Sequence, residues 1–435
     1  MSTMTRDLDI ILFGATGFTG KHALPLIAKF AKAKNRNLTW GVAGRNENKL
    51  KDFLEQCEKD TGTPLSDVPI IIADVQDDKS LTDMARKARI VVNCCGPYRF
   101  FGEPVVKACV EVGTHHVDIA GEPEYAERMQ LKYNDKAREK GVYIVSSCGF
   151  DSIPADLGLL FVQKKFDGTL NSVVSYLESW QEGQDIPGPV LNYGTWESAV
   201  YGAANAGQLK AQRRQLFPTK LPSFKPKLQR KARPHKNDHV EGWVLPFPGA
   251  DRAVMERSQR LFYEKDQKRP AQIETYFIIK SFWNVVLVAF FGSIFQLLAK
   301  FKCGRNLLLK YPEKFSAGLF SRESPSEEKI KNMHFSVTLF GEGWKGKLVD
   351  GNDQYSTPPD KLISVKVKGS NPGYGATCVS LLLSAITILT EPEKMPSEGG
   401  VYPPGYAFAN TTLIEQLNDN GLTFDVLFEK DLSHS

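Results

Sequence analysis

The sequence has few of the residues that build disulfide frameworks or metal sites. Its 435 residues include seven cysteines, and no two of them have C-x-x-C spacing. Cysteines without paired spacing are typical of proteins from a reducing compartment. We therefore predict no disulfide framework and no bound metal. The adjacent Cys94 and Cys95 fall in an apolar strand, where cysteine behaves as a small buried hydrophobic residue.

A large excess of one charge sign is also missing. The chain carries 55 basic and 50 acidic residues and a net charge of +5, so its electrostatics give no reason to predict a nucleic-acid partner. The first residues include Arg6, Asp7 and Asp9 and no long apolar run, which excludes a typical secretion signal. At 435 residues the chain is long enough for two domains, and its hydrophobic content of 42% allows a large core.

The strongest positive pattern is an apolar strand that ends in a glycine-rich turn. Residues 10–13 are apolar, Gly14, Gly17 and Gly20 follow, and apolar residues then recur at helical spacing. The N–H groups at a helix N-terminus attract anions, and glycine lets a pyrophosphate approach them. The spacing departs from G-x-G-x-x-G, but the strand–turn–helix context predicts a dinucleotide site. An ordinary glycine turn is the alternative.

Strand and helix patterns alternate six times up to Ser146, which predicts an α/β fold with a doubly wound, mostly parallel Rossmann sheet over residues 1–165. The second strand ends at Gly44 and Arg45, where an acidic residue would bind the ribose hydroxyls of NAD. A guanidinium there can pair with a 2′-phosphate instead. We therefore predict NADP as cofactor, with NAD possible and a solvated arginine as the alternative.

Other candidate site residues follow the third and fourth strands. Asp74 ends the third strand and could approach the adenine or cap the next turn. Tyr98 follows the fourth strand beside the nicotinamide half of the crevice and is the candidate proton donor, with crevice packing as the alternative. Because Gly102 stands four residues after Tyr98, no Tyr-x-x-x-Lys dyad is present. The predicted cofactor-binding residues are Gly14, Thr16, Gly17, Phe18, Gly20, Arg45, Asp74, Asn93 and Gly96.

The alternation stops near Gly168, and a second, α+β domain is predicted over residues 166–370, followed by a C-terminal segment, 371–435. Period-two patterns at 170–179, 333–340 and 361–367 predict strands, the last two in a half-exposed antiparallel sheet. Residues 210–236 hold ten lysines or arginines, four prolines and no acidic residue. This composition predicts a basic, kinked loop, for which a solvated segment is the simplest interpretation.

Residues 281–299 form a hydrophobic insert without a charged residue. Three interpretations compete: a buried core helix, a membrane span, and a helix inserted in a lipid interface. A span needs about 20 predominantly apolar residues, and Asn284, Gln296 and the central Gly292 argue against one. The nearby basic residues attract anionic head groups by about 1 kcal/mol each close to the surface. We favour the helix in a lipid interface.

Four motifs together resemble the saccharopine dehydrogenase-like oxidoreductase family: GATGFTG at 14–20, VAGR at 42–45, NCCGPY at 93–98 and GFDSIPAD at 149–156. The resemblance extends to GGVYPP at 399–404 and covers nearly the whole chain. It implies a Rossmann domain that binds NADP(H) or NAD(H), with phosphates at the three glycines and the ribose phosphate near Arg45. It also implies that the C-terminal segment returns to the first domain, and that the chain is similar to trans-acting enoyl reductases and to proteins of lipid droplets.

These observations lead to three functional hypotheses. The first is an NADP-dependent oxidoreductase that reduces an enoyl or carbonyl group of a hydrophobic or lipid substrate, at the cytosolic face of a lipid droplet or intracellular membrane. Residues 281–299 and 210–236 would contact that surface. The second is a lipid-surface protein that binds a dinucleotide without turnover, and the third is a soluble amino-acid dehydrogenase. The pattern leaves the substrate and the oligomeric state open, a homodimer included.

Overall fold

The computed structural model describes residues 6–33, 36–184, 186–323, 325–347, 354–355 and 357–432. The prediction of no secretion signal falls partly on residues 1–5, which lie outside these ranges. The chain divides into two compact units, each made of separate chain segments. Unit 1 comprises residues 1–150, 374–403 and 407–417, and unit 2 comprises residues 151–373, 404–406 and 418–435.

Unit 1 is built on a seven-stranded parallel sheet of order β15-β6-β5-β4-β1-β2-β3. Its strands are β1 (Leu8–Phe13), β2 (Trp40–Gly44), β3 (Ile70–Ile72), β4 (Ala88–Asn93), β5 (His115–Asp118), β6 (Tyr143–Val145) and β15 (Gly400–Tyr402). The order reverses between β1 and β4, which is the switch point of a doubly wound sheet. The predicted Rossmann fold is thereby confirmed.

The helices of unit 1 connect these strands. They are α1 (Phe18–Lys32), α2 (Glu47–Thr61), α3 (Asp78–Lys87), α4 (Tyr98–Val112), α5 (Pro123–Lys140), α14 (Thr377–Thr390) and α16 (Leu413–Asn418). Local sequence fixes several of their ends. The Asn46 side chain accepts a hydrogen bond from the N–H of Lys49 at the start of α2, as expected of an N-cap. Gly113 and Gly141 end α4 and α5 in the left-handed conformation.

The core of unit 1 lies around β1. Ile10, Ile11 and Leu12 are 0% exposed, although successive side chains of a strand point to opposite faces. Both faces of the sheet are therefore covered, as an all-parallel sheet requires. The hydrophobic run before Gly14 is the consequence of this double burial. It places the carboxyl end of β1, and the glycine turn that follows, at one edge of a fully packed sheet.

Unit 2 contains a seven-stranded mixed sheet of order β16-β14-β13-β7-β11-β10-β9. All neighbouring strands are antiparallel except β7 and β11. The strands are β7 (Thr169–Gln181), β9 (His235–Asn237), β10 (Val240–Pro246), β11 (Gln272–Ile279), β13 (Met333–Trp344), β14 (Lys361–Ser370) and β16 (Thr423–Asp431). Helices α6 (Ile153–Lys165) and α9 (Asp251–Asp266) pack on this sheet. Unit 2 also contains the short helix α13 (Glu327–Asn332), residues 404–406 of the short helix α15 (Pro404–Ala407), and a helical lobe described below.

The compact units differ from the predicted domain limits in two places. Helix α6 packs on β13 and β14 of unit 2, so unit 2 begins at Asp151, whereas the prediction ended the first domain at residue 165. The predicted C-terminal segment, 371–435, is divided. Strand β15 pairs with β6 in unit 1, but β16 pairs antiparallel with β14 in unit 2. A strand's sheet depends on partners far away in the sequence, which its own pattern does not encode.

A helical lobe of unit 2, residues 191–216 and 282–321, contains α7 (Tyr193–Ala204), α8 (Ala206–Leu216), α10 (Phe282–Ala299), α11 (Lys302–Lys310) and α12 (Pro312–Phe315), with the paired strands β8 (Leu191–Asn192) and β12 (Phe320–Ser321). Its small core consists of Trp196, Val200, Ala299 and Leu308. Because α8 extends to Leu216, the predicted basic loop at 210–236 begins as a helix, which corrects the prediction there.

Helix α10 is the hydrophobic insert predicted at 281–299, and it is largely exposed. Trp283, Phe290 and Leu297 are 72%, 59% and 58% exposed, and within α10 only Val285 and Ala299 are buried. The core-helix interpretation is therefore wrong. Two helices of the described chain have the length and composition to cross a membrane. Only 11% of residues 282–299 are buried, against 83% of residues 372–390.

Candidate dinucleotide site

The turn after β1 has a geometry that needs glycine. Gly14 has a φ of +82°, and a Cβ atom there would lie 2.7 Å from the Cys95 Sγ. Its N–H donates to the carbonyl of Ala43, and the N–H of Gly17 donates to the carbonyl of Gly14, both at 2.9 Å. The first bond fixes the turn against the end of β2, and the second closes the turn on itself.

Gly20 lets helix α1 pack directly on this turn. A Cβ atom at Gly20 would lie 2.2 Å from the Gly14 carbonyl oxygen and 2.7 Å from the Ala15 Cα. The helix N-terminus is therefore held next to the backbone of the turn. Gly17 is the N-cap of α1 and makes no capping bond, and the first turn of α1 contains no acidic residue. Its N–H groups and positive dipole end suit an anion such as a pyrophosphate.

Two predicted site residues flank the glycines. Thr16 is half-buried within the turn, and Phe18 is half-buried at the first position of α1. Neither side chain blocks Gly17, which is exposed. This turn fits the phosphates of a dinucleotide. Gly17 is exposed to solvent, and it lies between Gly14 and Gly20, where a Cβ atom would clash with neighbouring atoms.

Arg45 and Asp74 both lie within electrostatic reach of Cys95. Burial raises the pKa of the Cys95 thiol to about 12, while the charge of Arg45 lowers it and that of Asp74 raises it. Because Cys95 lies beside Gly14, these two charged residues and the glycine turn share one edge of the sheet. Arg45 is exposed after the end of β2, the position that lies beside the adenosine ribose of a dinucleotide in doubly wound folds.

Asp74 takes the capping role that was one of its two predicted alternatives. Its Oδ1 accepts the N–H of Gln76 at 3.0 Å, and its own N–H donates to the Ser80 hydroxyl. The side chain is half-buried. Asp74 therefore orders the turn after β3, and this turn forms part of the edge on which Arg45 lies.

Asn93 and Gly96 shape the turn after β4. Asn93 is 0% exposed, its Oδ1 accepts the N–H of Cys95 at 2.9 Å, and its Nδ2 lies 3.4 Å from the Nε2 of His116. Gly96 is exposed in the same turn. Asn93 thus stabilises the turn through a buried hydrogen bond, whereas Gly96 is exposed and can contact a ligand.

Tyr98 is buried, whereas a proton donor must reach the substrate. The residue is 6% exposed, and its hydroxyl donates to the carbonyl of Asn93 at 2.9 Å. Its N–H donates to the Glu122 carboxylate, and its ring lies 5.7 Å from that of Tyr125. Burial raises the pKa of Tyr98 well above its usual value. The geometry favours the packing alternative, because the hydroxyl already has an internal acceptor.

A buried polar network that the sequence did not reveal lies at the ends of β5 and β6. The Asp118 carboxylate accepts hydrogen bonds from four donors: the N–H groups of Ala120 and Ser147 and the hydroxyls of Tyr125 and Ser146. A buried carboxylate is stable only with such partners. The network fixes the two strand ends next to the turn of Asn93. An acidic residue at a strand end was the only signal for it.

The start of helix α14 lies against α1, as the resemblance implied for the C-terminal segment, but the sequence did not single out Tyr374 there. The Cys378 Sγ is 3.5 Å from the carbonyl oxygen of Thr19, and the rings of Phe18 and Tyr374 are 4.2 Å apart. A segment some 350 residues away in the sequence therefore forms one wall beside the glycine turn. The isolated tyrosine between Gly373 and Gly375, just before an apolar helix, was the available signal.

Comparison with known proteins gives a consistent result. Residues 10–145 match the family described as the saccharopine dehydrogenase NADP binding domain. The chain is 39% identical to the human saccharopine dehydrogenase-like oxidoreductase, covering 99% of this chain and all of the relative. It is 36% identical to a Caenorhabditis elegans lipid droplet localized protein over 98% of this chain and 99% of the relative. A trans-acting enoyl reductase from Mycobacterium ulcerans is 32% identical over 43% of this chain and 44% of the relative.

A solved structure supports the fold over the whole length. Saccharopine dehydrogenase (L-Glu forming) from Saccharomyces cerevisiae superimposes with a TM-score of 0.51, covering 98% of this chain and all of the yeast chain. The sequence identity is only 16%, so this likeness concerns the fold.

Proposed function

Because this chain belongs to the saccharopine dehydrogenase-like oxidoreductases and carries their nicotinamide dinucleotide-binding domain, we propose that it is an NADPH-dependent reductase of a hydrophobic substrate. The observation that carries the proposal is the glycine turn. The absence of a Cβ at Gly14 and Gly20 is what allows β1, the turn and α1 to come together as a phosphate cradle. The mycobacterial relative is named an enoyl reductase, which supports the reduction of an enoyl or carbonyl group.

The preference for NADPH rests on Arg45. Its exposed guanidinium follows β2, and an arginine at this position pairs with a 2′-phosphate, which NADH lacks. The glycine turn and the N-terminus of α1 would hold the pyrophosphate. Gly96 would leave room beside the nicotinamide half. The bound cofactor supplies the hydride, and this chain orients it and keeps water away.

We also propose that the enzyme works at a phospholipid-covered surface on the cytosolic side, a lipid droplet or a membrane, into which α10 inserts. Its apolar side chains are exposed, and Lys300 and Lys302 follow it as exposed basic residues. Such a helix gains free energy when its side chains enter acyl chains, and basic residues add attraction to anionic head groups. The name of the Caenorhabditis elegans relative supports a lipid droplet.

The contacts at the two ends of α10 favour insertion into one leaflet over a span. Near its start, the Phe282 ring lies 5.4 Å from Trp243 of β10, and near its end, Phe295 lies 5.1 Å from Trp196 of α7. Both partners belong to unit 2. A helix that crossed a bilayer would place its ends about 27 Å apart on opposite sides. A single folded unit that contacts both ends fits a helix lying in the surface.

The experiment that tests the function is NADPH consumption by the purified full chain with a panel of unsaturated acyl lipids and lipid carbonyls. We expect turnover with at least one class when the substrate is presented in vesicles. Tight NADPH binding without turnover on any class would favour the dinucleotide-binding protein without catalysis. The observation that favours this second function is the internal hydrogen bond of the Tyr98 hydroxyl, which leaves the candidate proton donor engaged with the Asn93 carbonyl. Turnover only with soluble amino acids would favour the amino-acid dehydrogenase.

A further inference from the structure

The segment before α14 has an irregular backbone at the edge of the Rossmann sheet. Residues Pro372–Ala376 form a π-helical turn, a rare conformation that occurs frequently at functional sites. Helix α14 then packs against α1, β4 and β5. Its first residue, Thr377, accepts the N–H of Phe150 in the loop after β6 at 3.1 Å. The start of α14 is therefore fixed at the carboxyl edge of the sheet, where dinucleotides bind in doubly wound folds.

Tyr374 packs directly on the residue that follows the glycine cradle. Its ring lies 4.2 Å from that of Phe18 in an edge-to-face contact and 4.9 Å from that of His22, nearly parallel. Phe18 is bonded to Gly17, the exposed N-cap of α1. Tyr374 belongs to unit 1, as do both partners. Its ring is thus one residue away from the predicted phosphate position.

The hydroxyl of Tyr374 distinguishes it from the other buried tyrosines of unit 1. The residue is 7% exposed, and no residue in the described ranges forms a hydrogen bond with its hydroxyl. In contrast, the hydroxyls of Tyr98, Tyr125 and Tyr402 all donate to internal acceptors. Burial raises the pKa of Tyr374, so the hydroxyl keeps its proton at neutral pH.

We infer that Tyr374 is a cofactor-binding residue: its ring supports Phe18 beside the glycine turn, and its hydroxyl donates a hydrogen bond to an oxygen of the bound dinucleotide. This inference rests on the proposed dinucleotide function and adds a contact from the far end of the chain. It also accounts for the start of α14 at this edge. The hydroxyl, which lacks a partner among the described residues, receives one when the dinucleotide binds.

The test compares Tyr374→Phe with the wild-type full chain. The variant keeps the ring contact with Phe18 and loses only the hydroxyl. We expect NADPH, titrated by energy transfer from protein fluorescence, to bind about tenfold more weakly, as for one lost hydrogen bond to a charged acceptor. Without NADPH the melting temperature should stay the same or rise, because no internal bond is lost.

Tyr143→Phe is the matched control. Its hydroxyl donates to the carbonyl of Pro396 at 2.7 Å, so this variant should lower the melting temperature and leave the NADPH affinity unchanged. Equal NADPH affinity of Tyr374→Phe and wild type would overturn the inference. So would a lower melting temperature of Tyr374→Phe without weaker binding, since that result indicates a structural role. Failure of the wild type to bind NADPH would instead reject the proposed function.

Discussion

At the scale of single residues, glycines and one arginine define the candidate site. The sequence identified these residues because their roles follow from the backbone: a positive φ at Gly14 and the close approach at Gly20 depend on the absence of a Cβ. The roles of Tyr98 and Asp74 depended on which acceptor or donor lay nearby. Their partners, the Asn93 carbonyl and the Gln76 N–H, are defined by the folded turns, so the sequence left two alternatives for each.

The first prediction concerns cofactor choice. Arg45→Asp should lower the preference for NADPH over NADH by about ten- to a hundredfold, because a carboxylate repels the 2′-phosphate and accepts the ribose hydroxyls of NADH. Dissociation constants for both cofactors provide the measurement. Arg86→Asp, at an exposed position in the last turn of α3, is the control and should keep the wild-type ratio. An unchanged ratio in Arg45→Asp would show that this arginine does not select the cofactor.

At the scale of elements, hydrophobic and polar periods predicted most helices and strands, and neighbours decided the rest. The apolar stretches 282–299 and 372–390 both have the length and composition to cross a membrane, yet the first, which is α10, is 11% buried and the second, which contains α14, is 83% buried. Composition does not separate them. The difference arises because α14 packs against α1 and two strands, whereas α10 contacts the helical lobe mainly through its C-terminal half.

The second prediction concerns α10 at a lipid surface. Trp283→Glu combined with Phe290→Glu places two charges on its exposed surface and should reduce flotation with vesicles of neutral and anionic phospholipids at least tenfold. Leu131→Glu, at a 39% exposed position on α5, is the matched control. It should float like the wild type. Full flotation of the double variant would remove α10 from the account of membrane binding.

The third prediction concerns the buried carboxyl of Asp156 in α6. Burial raises its pKa to about 7, well above the 3.8 of an ordinary aspartate side chain, although the Gly405 N–H and the Ser258 hydroxyl donate to it. The folded state therefore binds an extra proton between these two values, and the free energy of unfolding falls as pH rises through this window. The stabilisation from the proton on Asp156 is fully present only below the pKa of the unfolded state, 3.8.

Asp156→Asn should abolish this part of the pH dependence. Between pH 5 and pH 8, the unfolding free energy of the wild type should fall by about 2 kcal/mol more than that of the variant. Urea titrations at both pH values measure the difference. Asp135→Asn changes a highly exposed carboxylate on α5 and should leave the wild-type slope intact. A parallel slope in Asp156→Asn would mean that Asp156 is ionised in the folded protein at both pH values.

At the scale of the whole molecule, each unit is assembled from separate parts of the chain. Unit 1 takes β15 and α14 from beyond residue 370, and unit 2 takes its edge strand β16 from residues 423–431. Long-range bonds tie the tail to unit 1, including one from Arg36 to Gln416 at 3.0 Å. The stability of unit 1 therefore depends on a segment that lies between β14 and β16 of the second sheet in sequence.

The fourth prediction uses this assembly. A ligand at 100 times its dissociation constant stabilises the folded state by about 2.7 kcal/mol. Saturating NADPH should therefore slow hydrogen exchange in β1, α1 and also in α14, with much smaller effects in β7 and β13 of unit 2. Mass spectrometry of the exchanged peptides gives the measurement. Protection limited to residues 6–150 would show that the tail does not share the response of unit 1.

The sequence alone determined the doubly wound sheet, its first six strands and the glycine cradle, because these features follow from local periodicity and from backbone conformations that glycine allows. Tertiary structure decided the rest. It gave the Tyr98 hydroxyl an internal acceptor, left α10 exposed, assigned β15 and β16 to different sheets and placed Tyr374 on Phe18. The sheet assignments and the packing of Tyr374 depend on contacts between residues that are distant in sequence, which the local pattern of either partner does not encode. The Tyr98 bond is local, because Asn93 is only five residues away, but it depends on the folded geometry of the turn after β4.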